Sequence, residues 1–296
     1  MKGKIKKETS FILNQGKVNI LAPAKLNLTL KITGKRGDGY HEIESIFVPV
    51  SLYDFLKIER IEKGLKVNCV GRRLPDNSEN MVEKAALCFF EKARIKKRVK
   101  ITLKKKIPIS SGLGGGSSDA AAVLMGLNML WGYPLLKTDV KKIALSLGAD
   151  VPFFLLQRPA VATGIGEVLE PIRNFPFFWY VIVSPKLMVS TSWAYKNTKF
   201  VLTKDKKEGI NIKFTKNIFN IQDILFNDLE RVTLTRYPFL KFIKTSLLDS
   251  GASGALMSGS GASIFGIFYS LKKAQDASRA IGLFEGRDVF LVRGLV

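Results

Sequence analysis

A glycine-rich segment in the first half of the chain constrains the fold more than any other feature of the sequence. Residues 108–122 read Pro-Ile-Ser-Ser-Gly-Leu-Gly-Gly-Gly-Ser-Ser-Asp-Ala-Ala-Ala, with four glycines in five consecutive positions. Glycine allows the backbone to approach a ligand closely and to turn several amides toward one point. A helix of small residues is predicted to follow, from Ser118 to about Trp131, and a helix N-terminus presents unpaired N–H groups and a positive dipole end. The segment therefore predicts a phosphate-binding loop.

Two better-known glycine loops do not fit this segment. A Walker loop ends in Gly-Lys-Ser/Thr, and no lysine follows the glycines here. A dinucleotide fingerprint needs Gly-x-Gly-x-x-Gly in a β-α-β unit, but Ser117 takes the place of its last glycine. The structural alternative is a tight turn that only caps a helix. The hydroxyls of Ser117 and Ser118 are suited to bind a phosphate oxygen, or a metal ion that bridges two phosphates.

Two distant segments supply the charges that phosphoryl transfer needs. Lys25 and Asn27 stand two positions apart in a predicted strand, so their side chains leave the same face. Asp150 is a single carboxylate between apolar stretches. A kinase needs a carboxylate to accept the proton of the substrate hydroxyl, and a cation near the transferred phosphoryl group. Taken singly, Lys25 is typical of a solvated strand residue and Asp150 of a turn or helix cap, so the hypothesis requires that the three segments converge.

The composition indicates a globular protein with an excess of positive charge. The 296 residues are 46% hydrophobic and 24% charged, which is ordinary for a chain that buries a sizeable core in one or two domains. The formal net charge of +22 attracts anions, among them nucleic acids, anionic lipids and phosphate-bearing substrates. No motif that reads DNA or RNA is recognisable, so we expect no nucleic-acid partner.

The cysteines and the hydropathy favour a cytoplasmic protein. Cys69 and Cys88 are the two cysteines, and their spacing suggests neither a disulfide framework nor a metal site. Thiols of this kind are typical of a reducing compartment. No apolar run approaches the roughly 20 residues of a membrane-spanning helix. We therefore expect no membrane partner.

The rest of the chain divides into a β-rich first part and an α+β second part. Asn80 is suited to cap a helix that runs to about Ala93. From about residue 165 onward strands and helices alternate, which favours a separate α+β domain with an antiparallel sheet. A second loop of small residues, Leu256 to Ser263, precedes a strand. The predicted strands cover 18–32, 46–50, 55–60, 65–70, 99–103, 177–184, 264–269 and 288–292, and the remaining predicted helices cover 138–148, 223–231, 238–250 and 272–282.

The motif segments described above, and the order in which they occur along the chain, resemble those of the superfamily of galactokinase, homoserine kinase, mevalonate kinase and phosphomevalonate kinase (GHMP kinases). That superfamily carries a Pro-Ala-Lys motif, a glycine loop of the type seen here and a late Gly-x-Gly loop, and this chain has the last at Gly259–Gly261. Within the superfamily, the chain is most similar to the 4-diphosphocytidyl-2-C-methyl-D-erythritol kinases. The closer resemblance spans about residues 18–270 and is carried by residues 24–28, 36–43, 114–121 and 148–153.

The resemblance implies a fold and an activity. The implied fold class is α+β, a two-domain GHMP kinase fold. Residues 1–163 would form a β-rich ATP-binding domain with a left-handed β-α-β region at the phosphate loop, and residues 164–296 a ferredoxin-like α+β domain. The implied activity is transfer of the ATP γ-phosphoryl group, with Mg²⁺, to the 2-hydroxyl of diphosphocytidyl methylerythritol in non-mevalonate isoprenoid synthesis. It leaves the Mg²⁺ ligands and the oligomeric state open.

The same resemblance implies roles for individual residues. Asp150 would be the general base, with Lys25 beside the reacting hydroxyl. A ring from the segment around Tyr195 would stack on cytosine, with Trp193 as second choice, and His41 would recognise the base largely through backbone atoms. The residues implied to bind substrate are Asn27, Tyr40, His41, Thr191 and Tyr195. The residues implied to wrap the ATP phosphates are Pro108, Ile109, Ser110, Ser111, Gly112, Leu113, Gly114, Gly115, Gly116, Ser117 and Ser118.

Two other functions remain open from the sequence. A mevalonate- or homoserine-type kinase would share the phosphate loop but lack the Asp38-Gly39-Tyr40-His41 segment, which the resemblance places beside cytidine. A basic nucleic-acid-binding protein would account for the charge but leave the glycine loop unexplained. The pair Ser110–Ser111 also departs from the Gly or Ala that is frequent in the family. Neither residues 1–17 nor the insertion at 204–212 can be placed.

Overall fold

The structure is a computed structural model that describes residues 11–14, 16–71, 80–198, 221–283 and 285–296. The insertion predicted at 204–212 lies outside these residues. In chain order the strands are β1 (Phe11–Asn14), β2 (Lys17–Lys35), β3 (His41–Arg60), β4 (Gly64–Gly71), β5 (Arg98–Lys105), β6 (Ala160–Thr163), β7 (Val168–Pro171), β8 (Trp179–Pro185), β9 (Phe226–Asn227), β10 (Gly254–Met257), β11 (Ile264–Phe268) and β12 (Arg287–Arg293). The helices are α1 (Met81–Ala93), α2 (Gly115–Leu130), α3 (Lys137–Leu147), α4 (Val151–Leu156), α5 (Thr191–Asn197), α6 (Asp228–Arg236), α7 (Phe239–Asp249) and α8 (Leu271–Gly282), and a 3₁₀-helix spans Ile221–Ile224.

The larger sheet is built around two long strands, β2 and β3. They pair antiparallel from Lys17 opposite Glu59 to Lys35 opposite His41. Within the described residues the sheet has eight strands in the order β1-β2-β3-β5-β4, with β6 on β3, β7 on β6 and β9 on β2. The sequence predicts two strands, 46–50 and 55–60, where the structure has β3 alone. The reason is that no glycine interrupts this stretch and β2 offers a partner along nearly all of it.

Helices α1 to α4 cover one face of the larger sheet and enclose a buried apolar core. Helix α1 begins where the sequence predicts, because the Asn80 side chain accepts a hydrogen bond from the Val82 backbone N–H at 3.1 Å. Helix α2 lies close to β2, since a Cβ atom at Gly126 would come within 2.3 Å of Ile20 Cδ1. The glycine in mid-helix is therefore explained by packing rather than by flexibility.

Two predicted helices have wrong boundaries. Helix α2 begins at Gly115 instead of Ser118, because Gly114 takes the left-handed conformation at the N-cap (φ 70°) and Gly115 and Gly116 then form the first turn. The helix predicted at 223–231 instead runs from Asp228 to Arg236. Its N-cap Asn227 belongs to β9 and accepts a hydrogen bond from the Leu229 N–H at 2.9 Å.

The second sheet has the predicted antiparallel α+β arrangement. Strands β8, β10, β11 and β12 pair antiparallel in the order β10-β11-β8-β12. Along the chain, helices separate β8 from β10, β10 and β11 are consecutive strands, and α8 lies between β11 and β12. This succession of β-α-β-β-α-β with the first strand in the middle of the sheet is the ferredoxin-like arrangement.

The larger sheet includes two strands that lie beyond the predicted domain boundary, β7 and β9. Strand β7 follows residue 163, the predicted domain boundary, yet it pairs with β6 in the larger sheet. Strand β9 pairs parallel with β2 through Phe226 and Asn227. The division at residues 163 and 164 stays a prediction. In the part of the chain that the structure describes, no helix has the length and apolar character needed to cross a membrane.

Candidate active site

The first glycine loop is fixed in place by two other parts of the chain. Leu113 O accepts a hydrogen bond from the Lys25 backbone N–H at 2.9 Å. Gly112 O accepts one from Ser258 Oγ at 2.9 Å. A Cβ atom at Gly112 would lie 2.0 Å from Ser258 O, and the residue has φ +80°. Only glycine fits this position, because both the backbone conformation and the close contact exclude a side chain.

The loop leads directly into the N-terminus of α2. The N-cap Gly114 contributes no side-chain hydrogen bond, and the first intrahelical bond runs from Ser118 N to Gly114 O at 2.9 Å. The amides of Gly115, Gly116 and Ser117 precede this bond and have no acceptor in the helix. They carry the positive end of the helix dipole, which favours an anion.

A large cavity of about 1230 Å³ opens in front of this helix N-terminus. Its walls come from both glycine loops, from β2 and from the segments before α4 and α5. Of the residues predicted to bind ATP or substrate, all but Leu113 and Ser118 line it: Asn27, Tyr40, His41, Pro108, Ile109, Ser110, Ser111, Gly112, Gly114, Gly115, Gly116, Ser117, Thr191 and Tyr195. Lys25 and Asp150 line the same cavity, so one space is bordered by the unpaired amides of the α2 N-terminus, a cation and a carboxylate.

The side chains of Lys25 and Asp150 meet although they are distant in sequence. Lys25 Nζ lies 3.4 Å from Asp150 Oδ2, and the two side chains are 6% and 34% exposed. Lys25 is buried because it leaves β2 beneath the glycine loop. Asp150 is the N-cap of α4, and its side chain makes no cap hydrogen bond. The carboxylate is therefore accessible from the cavity, while the ammonium is held in the wall.

The Lys25 ammonium has two more partners. Asn27 Oδ1 accepts a hydrogen bond from Lys25 Nζ at 2.7 Å. The ring of Phe47 lies under the ammonium, 4.3 Å from Nζ to the ring centroid, in a cation–π contact. An amide oxygen, a carboxylate and a ring face thus surround a group that has three N–H donors.

The predicted cytidine-binding residues line the same cavity. Tyr40 is 59% exposed and follows a turn at Gly39. The rings of His41 and Tyr195 stack on one another, with centroids 5.1 Å apart and 21° between their planes. Burial lowers the pKa of His41, and the nearby charge of Lys35 lowers it further, so the imidazole is neutral at neutral pH. Thr191 Oγ1 is hydrogen bonded to Ser260 Oγ at 3.0 Å.

Trp193, the second choice for a stacking ring, lies elsewhere. Its ring packs edge-on against Tyr237, with centroids 6.4 Å apart, and under the Arg236 guanidinium at 4.8 Å. It does not line the cavity.

Burial raises the pKa of the Tyr195 hydroxyl, and the charges of Asp150 and Asp228 add to the shift. Tyr195 therefore presents a neutral phenol.

The sequence interpretation missed a buried ionic cluster formed by Asp54, Lys105 and Asp119, of which Lys105 and Asp119 line the cavity. Lys105 Nζ lies 2.5 Å from Asp54 Oδ2 and 2.6 Å from Asp119 Oδ2. Asp54 Oδ1 also accepts hydrogen bonds from the Lys106 and Ile107 backbone N–H groups at 2.5 and 2.8 Å. The one available signal was Asp54 itself, the single charged residue in the stretch 46–56 of β3.

The two carboxylates of this cluster differ in environment. Both Asp54 oxygens are hydrogen bonded, whereas Asp119 Oδ1 is buried with no hydrogen-bond partner among the described residues. Burial raises the pKa of Asp119 to about 8, although the nearby charge of Lys105 opposes part of this rise. Burial alone would lower the pKa of Lys105, but Asp119 and Asp54 outweigh it and raise the pKa.

Metal binding has few protein candidates. Among the described residues, no three side chains of His, Cys, Asp or Glu are grouped as a metal site. Ser118 Oγ, like Asp119 Oδ1, is a buried oxygen without a hydrogen-bond partner in that part of the chain. Mg²⁺ usually takes one or two protein oxygens and completes its shell with phosphate oxygens and water. The residues present therefore fit Mg²⁺ better than a metal ion whose whole coordination shell must come from protein atoms.

Comparison with known proteins agrees with this geometry. The model of the GHMP kinase N-terminal domain matches residues 80–158, and that of the GHMP kinase C-terminal domain matches residues 209–285. A protein of Syntrophotalea carbinolica named 4-diphosphocytidyl-2-C-methyl-D-erythritol kinase is 43% identical over 93% of this chain and 98% of its own length. One of the same name from Citrifermentans bemidjiense is 41% identical over 91% and 96%.

The chain belongs to the 4-diphosphocytidyl-2-C-methyl-D-erythritol kinase family of GHMP kinases. A crystal structure of 4-(cytidine 5'-diphospho)-2C-methyl-D-erythritol kinase superposes with a TM-score of 0.78 at 34% identity, covering 93% of this chain and 99% of the other. The crystal structure of homoserine kinase from Cytophaga hutchinsonii gives 0.71 at 20% identity, covering 95% and 96%. The second match shows only that this kinase family shares its two-domain α+β fold with other GHMP kinases, and the predicted fold class is confirmed.

Proposed function

We propose that this protein transfers the γ-phosphoryl group of ATP to the 2-hydroxyl of 4-diphosphocytidyl-2-C-methyl-D-erythritol, a step of non-mevalonate isoprenoid precursor synthesis. The observation that carries the proposal is the meeting of Lys25 and Asp150, 3.4 Å apart, in the wall of the cavity that also receives the N-terminus of α2. Relatives of that name, 43% and 41% identical over nearly the whole chain, support the choice of substrate.

Asp150, Lys25 and the amides at the start of α2 each have a different role in the proposed reaction. Asp150 accepts the proton of the 2-hydroxyl as its oxygen attacks the γ-phosphorus, and ADP leaves from the opposite side. Lys25 orients Asp150 through their ion pair and offsets charge that develops on the transferred phosphoryl group. The amides of Gly115, Gly116 and Ser117 hold the phosphates of ATP at the positive end of α2.

Mg²⁺ is the proposed metal. When bound, it neutralises charge on the β- and γ-phosphates. Ser118 Oγ and Asp119 Oδ1 would hold it together with phosphate oxygens, because they are buried oxygens without a hydrogen-bond partner among the described residues. Asp119, whose pKa burial raises to about 8, would then lose its proton on binding the ion.

Substrate binding is proposed for the remaining cavity residues. Asn27 would contact the methylerythritol portion, and Tyr40, His41, Thr191 and Tyr195 the cytidine portion. Because the Tyr195 ring is stacked on His41 at 5.1 Å, cytosine would have to stack on the outer face of one ring or separate the two. The cytoplasmic location, the absence of nucleic-acid and membrane partners and the 163/164 domain division stay predictions.

The test is an ATP-dependent phosphorylation assay on the purified chain with three acceptors. ADP release is measured in parallel with diphosphocytidyl methylerythritol, mevalonate and homoserine, and ³¹P NMR identifies the product. We expect a phosphomonoester on the first acceptor only, and loss of activity when EDTA removes Mg²⁺. Phosphorylation of mevalonate or homoserine in its place would overturn the proposal. Salt-sensitive binding of an oligonucleotide without kinase activity would favour the nucleic-acid reading instead.

A further inference from the structure

Ser45 stands behind the Lys25–Asn27 pair and has no role in the proposed reaction so far. We infer that Ser45 is a positioning residue: it orients the side-chain amide of Asn27, and Asn27 in turn holds the Lys25 ammonium beside Asp150. The inference rests on the proposed function, because it concerns how the two charged groups of that reaction are held.

The hydrogen bonds around Ser45 allow one orientation of the Asn27 amide. Ser45 Oγ donates its proton to Thr29 O, so its lone pairs remain to accept. Asn27 Nδ2 lies 3.0 Å from Ser45 Oγ and is the donor in that contact. Asn27 Oδ1 is thereby turned toward Lys25 Nζ, which is a donor only, at 2.7 Å. The direction of the Ser45 hydrogen bond therefore fixes the orientation of the Asn27 amide, and that orientation presents an acceptor to Lys25.

An irregularity in the sheet brings these groups together. The pairing of β2 with β3 shifts register between Asn27 and Thr29, so that Asn27 pairs with Phe47 while Leu30 pairs with Ser45. A bulge of this kind bends the strand and redirects a side chain. It allows Ser45 to contact both the Asn27 side chain and the Thr29 carbonyl. Ser45 is fully buried, so water does not compete for these bonds.

The orientation matters because the amide has two unlike ends. With Oδ1 toward Lys25, the amide is a neutral acceptor that fixes the ammonium without competing with Asp150 for charge. With Nδ2 in that place, an NH₂ group would face an NH₃⁺ group, and two donors would oppose each other. The ammonium would then turn away, and the 3.4 Å contact with Asp150 would be lost.

The decisive experiment is a double-mutant cycle on kcat. Ser45→Ala, Asn27→Ala and the double variant are compared with the wild type on diphosphocytidyl methylerythritol and ATP. We expect Ser45→Ala to lower kcat about tenfold, the order of one buried hydrogen bond, with KM for ATP unchanged. In the Asn27→Ala background the same change should have no further effect, because Ser45 acts only through Asn27.

A matched control separates positioning from a general loss of packing. Ser184 is a similarly buried serine on β8, hydrogen bonded to Ser263 Oγ at 3.1 Å, and it does not line the cavity. Ser184→Ala should destabilise the fold to a similar extent while kcat stays at the wild-type value. If Ser45→Ala does not fold, Ser45→Cys replaces it, because the slightly larger thiol fills the space of the hydroxyl but is a weak acceptor.

The possible results separate this inference from the proposed function. Wild-type protein without activity on the cytidyl substrate would defeat the proposed function. An active wild type in which Ser45→Ala keeps full kcat would defeat the inference alone. Equal losses from Ser45→Ala in the wild-type and Asn27→Ala backgrounds would defeat it as well, since they would show that Ser45 does not act through the amide.

Discussion

The Ser258 hydroxyl donates a hydrogen bond to Gly112 O across 2.9 Å, although 146 residues separate the two in sequence. This contact joins the late glycine loop to the phosphate loop. Asn227 fixes the late loop in turn, because its Nδ2 donates to Met257 O and Gly259 O, both at 2.8 Å. Contacts from the C-terminal half of the chain therefore fix the shape of the phosphate loop.

We predict that Gly112→Ala abolishes activity. The added Cβ would meet Ser258 O at 2.0 Å, so the two loops must separate. The matched control is Gly132→Ala: Gly132 also has positive φ, +75°, but nothing within 4 Å of its Cβ position. Both variants carry the cost of a left-handed alanine, roughly 1–2 kcal/mol. Measured kcat and thermal midpoints should show a common stability loss but inactivity only for Gly112→Ala; equal activities would contradict the prediction.

Asp150→Asn should lower kcat by roughly 10²- to 10⁴-fold, because the amide cannot accept the hydroxyl proton. Lys25→Ala should have an effect of similar size, with the fold intact in both variants. KM for ATP should change little, since neither side chain belongs to the phosphate loop. The control is Asp139→Asn, which breaks the pair with Lys92 at 3.3 Å outside the cavity and should leave kcat unchanged. A fully active Asp150→Asn enzyme would remove the general-base role.

Tyr195→Ala should raise KM for the cytidyl substrate without changing KM for ATP. Loss of a base-stacking ring costs about 1–3 kcal/mol, so an increase of roughly 5- to 150-fold is expected. Trp193→Ala is the matched control, because that ring packs against Tyr237 and does not line the cavity. Steady-state kinetics with each substrate varied in turn provide the comparison. If Trp193→Ala had the larger effect on KM, the assignment of the stacking ring would be reversed.

Asp119 should make the protein less stable as pH rises. Its folded-state pKa, about 8, lies above the roughly 3.9 of an unfolded aspartate, so the folded chain binds the proton more tightly. The resulting stability is complete below about pH 4 and is lost as the pH rises toward about 8.

Urea unfolding of the wild type and Asp119→Asn from pH 5 to pH 8 tests this dependence. The asparagine keeps an oxygen for Lys105 but cannot titrate, so the free energy of unfolding should fall less steeply with pH in the variant. Other titrating groups are common to both proteins and cancel in the difference. Parallel curves would mean that the proton is not on Asp119.

Much of the candidate site was predictable from local sequence. Consecutive glycines before a helix of small residues have few structural roles other than close approach of the backbone to an anion. The spacing of two residues between Lys25 and Asn27 predicted that both side chains lie on one face of a strand. The start of α2 was not predictable in the same way. Whether Gly115 and Gly116 end a loop or begin a helix depends on Gly114 and on packing against Ile107 and Lys105, which local propensity does not describe.

The sequence by itself predicted the residues of the candidate site and an antiparallel α+β unit after the phosphate loop, because both predictions depend on short-range pattern and on residue type. Only the tertiary structure decided that Lys25 meets Asp150, that Ser258 closes on Gly112, and that Asp54 and Asp119 share Lys105. These contacts join elements from different sheets and distant turns. Their partners are chosen by register, by a β-bulge and by burial, which no local stretch of residues encodes.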